Sequence, residues 1–302
     1  MAGRPVTAFL GPEGTFSHRA ALELAPAGLD LAAMETAEEV LEAVEAGAVA
    51  AGVIALENSL EGPVTANLDV LLHDTRSILI AGERILPVSF SAYRRRGDDA
   101  APRLVRSHVV GLAQCTHWIR RRGIATEASA STMGAVTDLA GGAAAGVIAI
   151  GPAGSGEPLG LELVEAAIEN HPASTRFILL GSRCPGPTGD DRTAFAVTPE
   201  RDEPGSLLRI LQEFSLRGIN LAVIVSRPTR EDLGRYIFYV ECEGHLTDPL
   251  VREATAALMR AHRSVRILGT FPADRERRAA GRAQPRRPEP PALADVLARV
   301  DG

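Results

Sequence analysis

The sequence predicts an α/β protein of two similar lobes, followed by a smaller β-α-β-β-α-β module of the ferredoxin-like kind. Three observations predict it. The 302 residues are 45% hydrophobic and 23% charged, an ordinary globular composition, and at roughly 150 residues per domain the length suits about two domains. The runs Gly52-Val53-Ile54-Ala55-Leu56 and Gly146-Val147-Ile148-Ala149-Ile150 are near copies 94 residues apart, each behind a helix pattern. From Arg192 the rhythm changes to short β-branched and aromatic runs separated by two helical patterns.

The elements follow in order. Residues 6–10 form a short apolar strand, ended by Gly11-Pro12-Glu13-Gly14-Thr15. Ser17 opens an alanine- and leucine-rich helix to about Ala25. Thr36, with Glu39 three residues later, reads as a capping box ahead of Val40, Leu41 and Val44, and Gly47 closes that helix before a buried strand at 50–56. The second lobe repeats this with Thr132, Val136 and Leu139 ahead of its own strand. The two lobes span about 6–80, with a return near 175–181, and 81–174. Such an arrangement implies a cleft, and open α/β sheets place ligands at the carboxyl ends of their strands.

A linker at 181–191, with three glycines and two prolines, leads to the third part. There, 193–198 is a strand, and Pro204-Gly205 opens a helix with Leu207, Leu208, Leu211 and Phe214 on one face. Strands at 220–226 and 235–242, a helix at 249–261 and a strand at 265–271 complete a module over 192–272. Residues 273–302 carry six arginines against two acids between 273 and 287 and no apolar period, which predicts a solvated, disordered tail with room for a short helix at 293–300.

The composition excludes several chemistries. All 32 basic residues are arginine, so Schiff-base formation, a pyridoxal anchor and a Walker-type phosphate loop, which need a lysine amine, are ruled out. A net charge of −6 argues against a nucleic-acid partner. Cys115, Cys184 and Cys242 are widely spaced and the seven histidines show no ligand pairing, which predicts no metal, no disulfide framework and a reducing cytoplasm. No run of apolar residues is long enough to span a membrane, and the first residues carry no signal-peptide pattern.

Four segments could carry chemistry. The turn 11–17 supplies backbone N–H groups, the hydroxyls of Thr15 and Ser17 and a helix N-terminus, which suit an anion; alone, it reads equally as a capped helix. Glu57-Asn58-Ser59 follows a strand's carboxyl end, where either a ligand or an ordinary polar turn belongs. Ser129, Ser131 and Thr132 stand at a helix start, as caps or as donors to a carboxylate. Ser174-Thr175-Arg176-Phe177 precedes an apolar run; Arg176 is either a surface arginine or a fork onto a substrate carboxylate.

The order of these segments is more specific than any one of them. Gly-Pro-Glu-Gly-Thr-Phe-Ser-His, then Glu57-Asn58-Ser59-Leu60-Glu61-Gly62, then Ser107-His108 through Ala113-Gln114-Cys115, then Thr175-Arg176-Phe177 and the β-α-β-β-α-β module closely resemble the prephenate dehydratase family over about residues 6–271. The resemblance implies a catalytic domain over 1–181 with the two-lobed, periplasmic-binding-protein-like fold, and an ACT regulatory domain over 192–272. It implies decarboxylative dehydration of prephenate to phenylpyruvate, with no cofactor and no metal, feedback regulation by phenylalanine, and a homo-oligomer, dimeric or tetrameric. Thr175 would assist departure of the ring hydroxyl, and Arg176 would hold a carboxylate or order the site. Glu57, Asn58, Ser59 and Gln114 would form polar walls; Thr15, Ser17, Ser131, Thr132 and Phe177 would contact substrate. Gly205, Ser206, Leu207, Ser226, Arg227 and Pro228 would bind phenylalanine.

The chain departs from the family pattern at Ala55-Leu56, at Ala173 where asparagine is usual, and at Val225 where the regulatory segment usually has glutamate. Prephenate decarboxylase, arogenate dehydratase and a non-catalytic two-lobed sensor are the competing readings. The dehydratase reading requires Thr175 and Asn58 to line one crevice.

Overall fold

The computed structural model describes residues 5–201, 203–231 and 233–274; of the tail predicted over 273–302, residues 275–302 lie outside them. The first lobe begins with strand β1 (Val6–Leu10), helix α1 (Phe16–Leu24), β2 (Asp30–Met34), α2 (Ala37–Glu45), β3 (Ala51–Asn58), the short β4 (Gly62–Pro63), α3 (Thr65–His73) and β5 (Leu79–Val88). The chain then crosses to a second lobe: β6 (Phe90–Arg95), β7 (Leu104–Ser107), α4 (Val109–Gln114), α5 (Thr116–Arg122), β8 (Ala125–Ala128), α6 (Thr132–Ala140), β9 (Val147–Pro152) and β10 (Leu161–Ala166). It returns through β11 (Ala173–Gly181) to the first lobe. The third part is β12 (Asp191–Thr198), α7 (Ser206–Ser215), β13 (Leu221–Pro228), β14 (Tyr236–Glu243), α8 (Pro249–Ala261) and β15 (Ser264–Pro272).

Local chemistry sets the helix starts. Thr15 caps α1 by accepting from His18 N at 3.2 Å, Thr36 caps α2 by accepting from Glu39 N at 3.1 Å, and Ser131 caps α6 by accepting from Gly134 N at 2.8 Å. The Glu39 carboxylate reaches back to Glu35 N, one residue before the cap, so the capping box closes one position early. The near-copied apolar runs are β3 and β9, one per lobe. In each, the apolar side chains are buried because helices cover the sheet.

Two sheets result. The second lobe has the order β10-β6-β9-β7-β8. In the first lobe, β1 runs parallel to β2 and β3, and β11 inserts antiparallel between β3 and β5. The first lobe therefore extends to Val88, later in the chain than the sequence boundary at 80. The two crossings lie side by side: Glu169 Oε2 accepts from Phe90 N at 2.9 Å, and Ile168 N donates to Phe90 O.

The third part has the sheet order β13-β14-β12-β15, the ferredoxin-like arrangement, with α7 and α8 over one face around Phe195, Ile210, Phe214 and Leu258. It is docked rather than merely linked. Gly269 of β15 pairs with Ile80 of β5, which makes one sheet of both parts. In a flat sheet, four strand spacings would separate β14 from β11 by roughly 19 Å. The sheet instead folds over, and its two inner faces share a core in which Leu68, Leu71, Ile80 and Ile178 meet Ala194, Tyr239, Leu268 and Phe271. Each large apolar side chain in that seam contributes about 1.5–3 kcal/mol. The tail predicted from 273 is fixed at its first two residues: Ala273 N donates to Asp190 O, and Asp274 Oδ2 accepts from Ile85 N at 2.9 Å.

Candidate active site

Strand β3 runs two residues further than the sequence pattern suggested, so Glu57 and Asn58 are strand residues and not a turn. Their register with β11 pairs Asn58 with Thr175 and Glu57 with Arg176. Alternation then sends Asn58 and Thr175 to one face, and Glu57 and Arg176 to the other.

On the first face, Asn58 Nδ2 donates to Thr175 Oγ1 at 3.0 Å. The amide cannot be reversed without loss, because Asn58 Oδ1 already accepts from Leu60 N at 2.9 Å and Glu61 N at 3.2 Å. Thr175 is thus an acceptor from Asn58, and its own proton remains to be donated. Ser59 locks the strands one residue further on: its Oγ accepts from Ser174 N, and its N–H donates to Ser174 O, both at 2.9 Å.

The second lobe closes over this corner at three points. Gln114 Nε2 donates to Glu61 Oε1 at 3.1 Å. Phe16 of α1 and Phe90 of β6 meet edge to face at 5.8 Å between centroids. Gly14 abuts Met133 of α6 so closely that a Cβ there would stand 2.9 Å from the methionine methyl. The starts of α1 and α6, bearing Thr15, Ser17, Ser131 and Thr132, are therefore neighbours across the lobe junction. Both present the positive ends of their helices. The Thr15 and Ser131 side chains are used as caps. Phe177 is 2% exposed, packed among Phe9, Ala20 and Val53, so it supports the site from the core and offers no substrate contact surface.

Arg176 is where the structure departs most from the sequence reading. Its side chain is 5% exposed, and Nε donates to Glu57 at 3.2 Å, Nη1 to Glu83 at 3.1 Å, and both Nη groups to Glu241 of β14, at 3.1 and 2.7 Å. A guanidinium so held has no fork left for a substrate carboxylate. Arg192 Nη1 and the Tyr239 hydroxyl complete the coordination of Glu241, at 2.7 and 2.5 Å. Burial pushes the Glu83 carboxyl above its ordinary range. Burial opposes charge on Glu241 too, but Arg176 and Arg192 override it and hold that carboxyl below its ordinary range. Glu57 pairs with Arg176 on this second face, which explains how a carboxylate can sit one residue from Asn58 without facing an anionic ligand. Glu83, Arg192, Tyr239 and Glu241 had no sequence signal: 65 residues separate Arg176 from Glu241.

Comparison with known proteins decides the family. The profile described as Prephenate dehydratase matches residues 7–185, and that described as ACT domain matches 201–258. A relative named prephenate dehydratase from Amycolatopsis methanolica is 37% identical, covering 87% of each chain. One of the same name from Mycolicibacterium smegmatis is 36% identical over 93% of this chain and 94% of its own. The chain belongs to the prephenate dehydratase family. Among solved structures, the prephenate dehydratase of Arthrobacter aurescens in complex with L-Phe superposes with a TM-score of 0.80 at 32% identity, over 98% of both chains.

As in that family, the third part is an ACT domain. Of its two marker segments, only the first borders an open groove of about 840 Å³: Gly205, Ser206 and Leu207 line it together with Tyr236 and Phe238. The second pairs with two of those groove residues across the sheet, Ser226 with Phe238 and Pro228 with Tyr236. Ser226, Arg227 and Pro228 lie at the end of β13, and Arg227 is committed to the first lobe through a two-pronged pair with Asp69 of α3, 2.6 Å at each prong. Val225 is half-buried against the shared core, where the usual glutamate would set a charge beside leucine and isoleucine.

Proposed function

We propose that this chain converts prephenate to phenylpyruvate, releasing water and carbon dioxide, and that phenylalanine regulates it through the ACT domain. The observation that carries the reading is the Thr175–Asn58 bond at the lobe junction, in a member of this family. Prephenate has two carboxylates and a ring hydroxyl. Loss of the hydroxyl as water and of the ring carboxylate as carbon dioxide leaves an aromatic ring, so the enzyme must fix the dianion and help the hydroxyl depart. Asn58 fixes the Thr175 oxygen and leaves its proton to be directed at the departing hydroxyl. Accepting the Asn58 bond polarises that O–H and strengthens the donation. Thr175 then acts as a directed hydrogen-bond donor to developing charge. The starts of α1 and α6 would take the substrate carboxylates, where the positive helix ends favour anions. Gln114 and Glu61 would close the mouth.

The same reading places the chain in the cytoplasm as a homo-oligomer. The ACT domain exposes Leu207, Leu208 and Leu233, apolar surface around the groove that a second ACT domain would cover, enclosing phenylalanine between copies. Incubating the purified chain with prephenate and following phenylpyruvate at alkaline pH tests the activity. A non-aromatic product would instead mark a decarboxylase, and preference for arogenate an arogenate dehydratase. Binding of prephenate without turnover would mark a sensor.

A further inference from the structure

We propose that Glu241 of the ACT domain is a positioning residue for Thr175, acting through the buried guanidinium of Arg176. Thr175 and Arg176 are successive residues of β11, so the place of one backbone unit fixes the other. Thr175 and Asn58 form one rung on the site face; Arg176 and Glu57 form the adjacent rung on the opposite face, with Nε–Oε2 at 3.2 Å. Glu241 grips the same guanidinium with both carboxylate oxygens, at 2.7 and 3.1 Å, and is itself fully buried.

Glu57 and Glu83 of the catalytic domain each accept one bond from Arg176, and Glu241 accepts two. Taking half of its carboxylate bonds from a buried guanidinium is unfavourable, so the position of Arg176 is tied to that of Glu241. Arg192 at 2.7 Å and the Tyr239 hydroxyl at 2.5 Å fix Glu241 in turn, both from the ACT domain. The ACT domain therefore supplies one of the three carboxylates around Arg176, one residue from the proposed hydrogen-bond donor. Strand β14 also carries Tyr236 and Phe238, which border the open groove, five and three residues before Glu241. A shift of β14 at the groove thus has a short covalent route to the guanidinium. The inference rests on the dehydratase reading only where turnover is the readout.

The test uses the full chain and three variants. Glu241→Gln keeps the shape and removes the charge. Tyr239→Phe removes one bond to Glu241 and keeps the core filled. Asp74→Asn breaks the exposed pair with Arg230, which also joins the ACT domain to the first lobe, at 3.2 Å, but does not touch Arg176. With prephenate, Glu241→Gln should lower kcat by about tenfold to a hundredfold with KM within about twofold, the pattern of a displaced donor. Tyr239→Phe should give a smaller fall of the same kind, and decides the matter if Glu241→Gln does not fold. Asp74→Asn should keep kcat within about twofold.

Amide exchange supplies a readout free of activity: the 173–181 segment should exchange faster in Glu241→Gln, and the 147–152 segment should not change. Folded Glu241→Gln with wild-type kcat and wild-type exchange at 173–181 would overturn the proposal, as would an equal fall in Asp74→Asn. Failure of the unmodified chain to turn over prephenate would sink the dehydratase reading alone, and the exchange comparison would still decide the role of Glu241.

Discussion

Replacing Thr175 with valine isolates the hydroxyl on which the proposed chemistry depends. The side chain keeps its branched shape and sits in a strand that favours it, so the backbone is unchanged. Folding loses the bond from Asn58 Nδ2, 3.0 Å in the native chain, while Asn58 Oδ1 keeps both of its backbone donors. Asn58 is only half-buried, and water can reach the freed amide, so the stability loss is about 1 kcal/mol. Melting should fall by only a few degrees, roughly 2–4 °C at this chain length. Turnover loses a donor aimed at developing charge, which is worth about 10²–10³ in kcat, or ~3–4 kcal/mol. Steady-state kinetics of phenylpyruvate formation should show kcat and kcat/KM falling together with KM near that of the unmodified chain. A KM increase with kcat retained would show that Thr175 only binds substrate and would refute the proposed role.

Other expectations concern the joints between the parts. The Arg227 bond holds the Asp69 carboxyl below its ordinary value. That contribution is present above the pKa of Asp69 in the unfolded chain and is lost as pH falls through the depressed native one. Melting of Asp69→Asn should converge with that of the unmodified chain in acid and lag it by about 1 kcal/mol near neutral pH, a gap that added salt narrows; a gap that widens in acid would contradict the assignment. Gly269 has φ +143°, and a Cβ there would lie 2.2 Å from Ile80 O. Gly269→Ala should therefore cost at least about 2 kcal/mol in urea unfolding, since backbone must move at the single rung joining β15 to β5. Burial pushes the thiols of Cys115 and Cys242 up to about 12, so an alkylating reagent at mildly alkaline pH should leave both unmodified in the native chain and label them after denaturation, as read by mass spectrometry.

Much of the fold was legible because local signals coincided with local structure. The capping residues Thr36 and Ser131 mark two helix starts, and Pro249 opens α8, because an exposed helix end must be satisfied by whatever side chain lies beside it; Ser17, read as opening α1, lies inside it, and the cap is Thr15. The near-copied apolar runs mark the central strands of both lobes. Asn58 and Thr175 could be singled out as residues, but β-sheet register is what joins them across 117 positions.

Which way a side chain points was decided only in three dimensions. Arg176 stands next to Thr175 in the chain, yet strand alternation turns it away from the cleft and toward carboxylates contributed by β3, β5 and the ACT domain. Arg227 likewise spends its charge on Asp69, 158 positions away. An isolated arginine motif cannot reveal its partner, because an ion pair depends on through-space distance and burial, and the carboxylates that satisfy these guanidiniums are brought near only when the sheet folds over. The sequence by itself determined which residues could do chemistry and where helices and strands begin. The tertiary structure decided which of them face the cleft and which instead bind the ACT domain to the strand that carries Thr175.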